Sequence, residues 1–190
     1  MRLIRRRSSG PWDRDLDLDL DAIVAWDATA VLTLVEQFEL ENLQVAHLGQ
    51  RVIDRHMEWF HPLIVDVSVP DAEFEKAWST AGACLRSTLR SGSKVLVHCR
   101  GGMGRAGTIA ARLMVELGFD PQDAIDRVRS VRPGAIETME QEDHVRSIVP
   151  IRMTPMPSVT VQSGPSSVWP LVMPLERHLS SLLETTEQSV

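Results

Sequence analysis

The chain has 190 residues, 43% of them hydrophobic, enough to bury one sizeable core and little more. Its net charge of −6 lacks the basic excess of a nucleic-acid-binding surface, and no apolar run reaches the length of a membrane span. Only Cys84 and Cys99 are present, which excludes a disulfide framework and fits a reducing, cytoplasmic location.

Residues 1–11 read as an irregular segment. Met1-Arg-Leu-Ile-Arg-Arg-Arg7 has positive charge but no apolar stretch behind it, so it is not read as a secretory signal. It offers no second anchor for stable membrane association, and only Met1 to Ile4 suits an edge strand. The Asp-Leu repeat that follows predicts a helix with Leu16, Leu20, Ile23 and Val24 on one face. Asp15, Asp17, Asp19 and Asp21 are then exposed, although the two-residue alternation also fits a strand. Val31 to Val35 is a buried strand, Glu36 to Leu43 a turn and short helix, and Trp59 to Val65 a second strand. Phe74 to Leu89 reads as a helix that carries Cys84 as a core residue, and Val95 to His98 as the third strand.

Further helices are predicted over Thr108 to Leu117, closed by Gly118, over Pro121 to Ser130 and over Thr138 to Val149. Strands alternating with helices imply an α/β fold with a mainly parallel central sheet flanked by helices. From Pro150 to Pro174 six prolines are mixed with Ser, Thr and Gly, the composition of a linker. Beyond it Leu175, Leu179, Leu182 and Leu183 have the spacing of one short amphipathic helix.

The stretch Val95-Leu-Val-His-Cys-Arg-Gly-Gly-Met-Gly-Arg-Ala-Gly-Thr108 joins the third strand to a helix through a glycine-rich loop. Glycines let successive backbone N–H groups turn inward into an anion nest, and the helix N-terminus adds more donors and a positive dipole end. Cys99, at the base of that nest, is favoured as a thiolate by the same field. Arg105 supplies a planar fork of donors that matches two oxygens of a phosphoryl group. The ordinary alternative is a strand-to-helix turn whose cysteine is a small apolar core residue.

His98-Cys99-Arg100-Gly101-Gly102-Met103-Gly104-Arg105 resembles the signature loop of the cysteine-dependent protein phosphatases, in their compact dual-specificity branch. His61-Pro-Leu-Ile-Val-Asp66-Val-Ser-Val-Pro-Asp71 is similar to the acid loop of the kinase-associated phosphatase subgroup and its bacterial relatives. Gly134-Ala-Ile-Glu-Thr138 with Gln141 resembles the segment after that subgroup's catalytic helix. The resemblance runs from about Trp12 to Val149. It implies a protein-tyrosine-phosphatase-like catalytic domain over 12–149, with a Pro/Ser-rich tail over 150–190.

Such a domain needs Cys99 as nucleophile and a proton donor for the leaving oxygen. Asp66 ends the second strand, where a loop can carry it over the pocket, and the resemblance puts the acid there. Asp71 follows Pro70 and suits a helix N-cap, and it is the second candidate for the acid. Arg100, Gly101, Gly102, Met103, Gly104 and Arg105 are expected to bind the phosphoryl oxygens. Arg100 is either a charge at the rim or a solvated surface arginine. His98 is expected to order the loop through backbone hydrogen bonds. Gln141 either orients the hydrolytic water or is an exposed helix glutamine.

In most relatives a Ser or Thr follows the loop arginine and helps the sulfur leave. Here that residue is Ala106, and Thr108 compensates only if its hydroxyl turns to the sulfur. No metal or organic cofactor is required. The expected activity is hydrolysis of phosphate monoesters on proteins, on phosphotyrosine or phosphoserine/threonine, through a phosphocysteine. Two other functions share the same loop: a phosphatase-like module that binds phosphorylated partners with weak turnover, and arsenate or sulfur chemistry at the cysteine.

Overall fold

The computed structural model describes residues 15–151. The edge strand expected at Met1 to Ile4 and the helix expected near Leu175 to Leu183 lie outside the described residues. The element order is α1 (Leu16–Ala25), β1 (Ala28–Thr33), α2 (Gln37–Asn42), α3 (Leu48–Ile53), β2 (Glu58–Phe60), α4 (Ala72–Arg90), β3 (Lys94–His98), α5 (Gly104–Glu116), α6 (Pro121–Val131) and α7 (Met139–Ser147).

The Asp-Leu repeat is helix, not strand. Asp15 caps it by accepting from the N–H groups of Asp17 at 2.9 Å and Leu18 at 3.3 Å, and its first-turn acids suit the positive dipole end. Leu16, Leu20 and Ile23 are buried, but Val24 is exposed, so the apolar face is narrower than expected. Asp19 is buried as well, a correction to the expected exposed row of aspartates. Asp17 accepts from Arg51 Nε at 2.9 Å and Arg55 Nη2 at 3.1 Å, tying α1 to α3, a helix that the sequence pattern did not reveal.

The sheet order is β2-β1-β3, with both pairings parallel. β1 is the central strand, and Ala30, Val31, Leu32 and Thr33 are buried on both faces, as a covered parallel sheet requires. Thr33 pairs with His98, so the carboxyl ends of β1 and β3 lie side by side. Ligands bind at this edge of parallel sheets. β2 covers only Glu58–Phe60 instead of reaching Val65. Pro62 has no N–H to give to a ladder, and the Ile64 N–H to Leu34 O bond of 3.0 Å and the His61 Nε2 to Val35 O contact of 2.7 Å keep the chain alongside.

The main core gathers Leu20, Leu32, Leu40, Leu48, Phe74, Leu85 and Ile109. A second cluster of Ala111, Val115, Ala124, Ile125, Ile136 and Val145 joins α5 to α6 and α7. A buried polar clamp fixes α4 against α5. Glu116 accepts from Trp78 Nε1 and Arg112 Nε, each at 2.8 Å, and from Arg86, while Arg112 also pairs with Glu75. The helix that follows the acid loop is thereby held to the helix that follows the cysteine loop. Among the described residues no helix is long and apolar enough to cross a membrane.

Candidate active site

β3 ends on His98, and Cys99 follows it, 3% exposed. The loop then turns through Gly102 at φ +68°, a left-handed conformation that glycine adopts without strain. α5 opens at Gly104, four residues earlier than the sequence pattern suggests. A Cβ on Gly104 would lie 2.4 Å from Glu137 Oε2 and 3.0 Å from Gln141 Nε2, so a larger residue there would displace these side chains. Met103, at the N-cap, makes no side-chain cap. The first N–H groups of α5 therefore remain available to an anion beside Cys99.

His98 is buried, with its Nε2 2.8 Å from Thr33 Oγ1, which also accepts from Trp59 Nε1 at 2.9 Å. Burial, reinforced by nearby positive charge, pushes its pKa down to about 3, against the opposing pull of a backbone hydrogen bond at Cys99. A neutral ring at physiological pH has no surplus proton to give. Its contacts anchor the end of β3 to β1 and β2.

Arg105 is 2% exposed and almost fully engaged. Its Nη1 donates to Glu39 Oε2 at 2.5 Å and Ile64 O at 3.1 Å. Its Nη2 donates to Glu39 Oε1 at 3.0 Å and lies 2.9 Å from Asp66 Oδ1. Nε–H and one Nη2 hydrogen have no hydrogen-bond acceptor among the described residues, and Asp66 sits beside Nη2 as an ion pair. Burial pushes the Arg105 pKa down, but Glu39 and Asp66 outweigh it and the net shift is upward. Burial likewise pushes Glu39 up, and the bonds from Arg105 and the Glu36 N–H outweigh it, so Glu39 stays ionised.

Asp66, with 59% of its side chain exposed, faces a cavity of about 340 Å³ together with Val67, Cys99, Arg105 and Glu137. Of the loop residues expected to hold phosphate, Arg100, Gly101, Met103 and Gly104 line the cavity too, while Gly102 does not and serves the turn. Arg100 is exposed at the rim, and Arg132 Nη2 braces the loop by donating to Gly101 O at 3.2 Å.

The supporting residues sort differently. Asp71 caps α4 by accepting from the Phe74 N–H at 2.8 Å, and it is not among the residues that line the cavity. Thr108 Oγ1 donates to Gly104 O at 2.9 Å, so its proton is committed to its own helix and not to the sulfur. Gln141 is fully buried, contrary to an exposed helix glutamine. Its Nε2 donates to Ser68 O at 3.2 Å and its Oε1 accepts from the Glu137 N–H at 2.9 Å, which ties the acid loop to the far wall of the cavity. Both amide ends serve the backbone.

Two carboxylates escaped the sequence reading. Glu39 had one local signal, its spacing three residues after Glu36, and it does accept the Glu36 N–H in a capping box. Nothing local linked it to Arg105. Glu137 sits in the segment Gly134 to Thr138, but its aim at the cavity depends on Ile136, buried at φ +60°.

Comparison with known proteins agrees with this geometry. The family described as PTP-SAK, a Swiss Army Knife protein DSP-PTPase phosphatase domain, matches residues 18–145. Cyclin-dependent kinase inhibitor 3 of Rattus norvegicus is 30% identical over 135 residues, 70% of this chain and 62% of its own length. The chain thus spans less than two thirds of that relative. Among solved structures, a kinase-associated phosphatase with serine in place of its catalytic-site cysteine matches at TM-score 0.67 and 24% identity. That match covers 76% of this chain and 80% of the other. Tk-PTP in its active form matches at TM-score 0.54 and 33% identity, over 75% of this chain and 86% of the other. With a family match over most of its length, and a parallel sheet that hands a buried cysteine to a helix N-terminus, this chain belongs to the DSP-PTPase phosphatase domain family.

Proposed function

We propose that residues 12–149 form a cytoplasmic, cysteine-dependent phosphatase that hydrolyses phosphate monoesters on proteins through a phosphocysteine. The observation that carries this reading is the pairing of Asp66 with Arg105 at 2.9 Å on the wall of the cavity that holds Cys99. Cys99 attacks phosphorus, and the electron pair of the breaking bond goes to the leaving oxygen, which Asp66 protonates. The free α5 N–H groups and Arg105 hold the phosphoryl oxygens as charge develops on them.

The hydrogen bonds of Arg105 add a step. Nη1 donates twice and Nη2 once, and Asp66 Oδ1 stands 2.9 Å from Nη2 as an ion pair, so a two-oxygen fork from Nε and Nη2 forms only when Asp66 yields that place. An incoming phosphate takes that place, and the freed carboxyl is left beside the ester oxygen it must protonate. Glu39 keeps the guanidinium still meanwhile. Arsenate and sulfur chemistry needs no leaving-group acid, so a carboxylate at this spot favours the phosphatase.

Substitution of the acid tests this assignment. Asp66→Asn should lower turnover of an aryl phosphate roughly 100-fold, the scale of a lost general acid, and flatten the basic limb of the pH–rate profile. Asp71→Asn should cost about 1 kcal/mol or less of stability through its cap and leave that limb in place. If the two results are exchanged, Asp71 is the acid.

A further inference from the structure

The acid loop breaks two local rules at one residue. Val67 has φ +60° and is 58% exposed, although it is both β-branched and apolar. The Ser68 N–H donates to Val65 O at 3.1 Å, closing a turn in which Asp66 and Val67 are the two central residues. A left-handed third position in such a turn suits glycine or asparagine, and valine there is strained. The strain is held from outside, because the buried Gln141 grips Ser68 O. Backbone strain that the surrounding structure keeps in place gathers at functional sites.

Val67 also lines the cavity, next to Asp66. An acid that protonates the ester oxygen has the substrate's carbon group one bond further out. The residue beside the acid on the same turn is therefore placed to meet that group. The cavity of about 340 Å³ exceeds a phosphoryl group, and about 150 Å³ accommodates a benzene-sized ring. Its other large apolar side chain is Met103. A branched aliphatic wall gains contact from a ring, whereas the hydroxyls of a polyol lose water there without a partner.

Building on the phosphatase assignment above, we propose that Val67 is a specificity-determining residue. It forms the apolar wall for the ring of an aryl phosphate and disfavours phosphates carried on polyols. Glycine and asparagine both tolerate the left-handed backbone, so Val67→Gly and Val67→Asn remove the wall without adding strain. The test measures kcat/KM of the full chain on phenyl phosphate and on glycerol 2-phosphate. Comparing the ratio of the two between variant and wild type cancels the intrinsic difference between leaving groups.

Both variants should have a higher Tm than the wild type and a phenyl-to-glycerol ratio lower by about tenfold, the scale of a lost apolar pocket contact. An unchanged ratio would mean that Val67 only shapes the turn. A raised ratio would mean that its loss disables Asp66, since the poorer alkoxide leaving group depends more on the acid. Either result, or a lower Tm, overturns the inference. If the wild-type chain hydrolyses neither ester, the phosphatase reading fails first and the role of Val67 falls with it.

Discussion

Cys99→Ser is expected to abolish aryl-phosphatase activity, by roughly a thousandfold or more, the scale on which loss of a nucleophile is felt. A serine hydroxyl is not ionised at neutral pH and is a far weaker nucleophile than a thiol. The fold should survive, because Cys99 is a small side chain, 3% exposed, and serine nearly matches its shape. Phosphate and vanadate should still bind, since the α5 N–H groups and Arg105 remain. The check is steady-state turnover beside calorimetric oxyanion binding. Retention of more than a few per cent of the wild-type rate would contradict the nucleophile assignment, on the scale set by comparable deletions.

Arg105→Lys should be nearly as damaging, for two separable reasons. A lysine brings one point charge where the phosphoryl group needs a planar fork, and the loss of such donors in the transition state costs about 10²–10³ in rate. It also leaves Glu39, whose side chain is 4% exposed, with half of its bidentate partner, and Ile64 O with none. Breaking that buried pair should lower stability by about 2–3 kcal/mol, visible as a lower urea midpoint. Near-normal vanadate affinity in the folded variant would mean that the backbone amides alone hold the anion.

The two variants separate what was legible in the sequence from what was not. The cysteine loop is written contiguously: strand, glycines, arginine and helix follow one another, and local rules suffice to read them. The strand expected to end at Asp66 stops at Phe60, so the place of Asp66 on the cavity wall was legible from the resemblance of the acid loop and not from the strand. Glu39 lies 66 residues from Arg105, and Gln141 lies 73 from Ser68, so both pairings exist only in the folded chain. Long-range packing also buries Asp19, because an alternating pattern cannot say which polar residues find partners, whereas β2 is cut short locally, ahead of Pro62. Val67 was invisible for another reason: a residue that opposes its own backbone preference is, by construction, misread by preference.

Ala106 makes the phosphocysteine observable. It is buried in the first turn of α5, Thr108 is bound at 2.9 Å to Gly104 O, and none of the described residues lining the cavity carries a hydroxyl in place of the one that the family resemblance implies beside the sulfur. A lost hydrogen bond to a charged group is worth about 1.5–3 kcal/mol, roughly ten- to a hundred-fold in the breakdown of the intermediate. Rapid mixing with an aryl phosphate should give a burst of phenol near one equivalent per site, followed by slow turnover, with the phosphoryl group recoverable on Cys99 after acid quench. Ala106→Ser should speed the slow phase and leave the burst rate little changed. A linear time course from the first turnover, with no phosphoryl group on Cys99, would contradict the phosphocysteine mechanism.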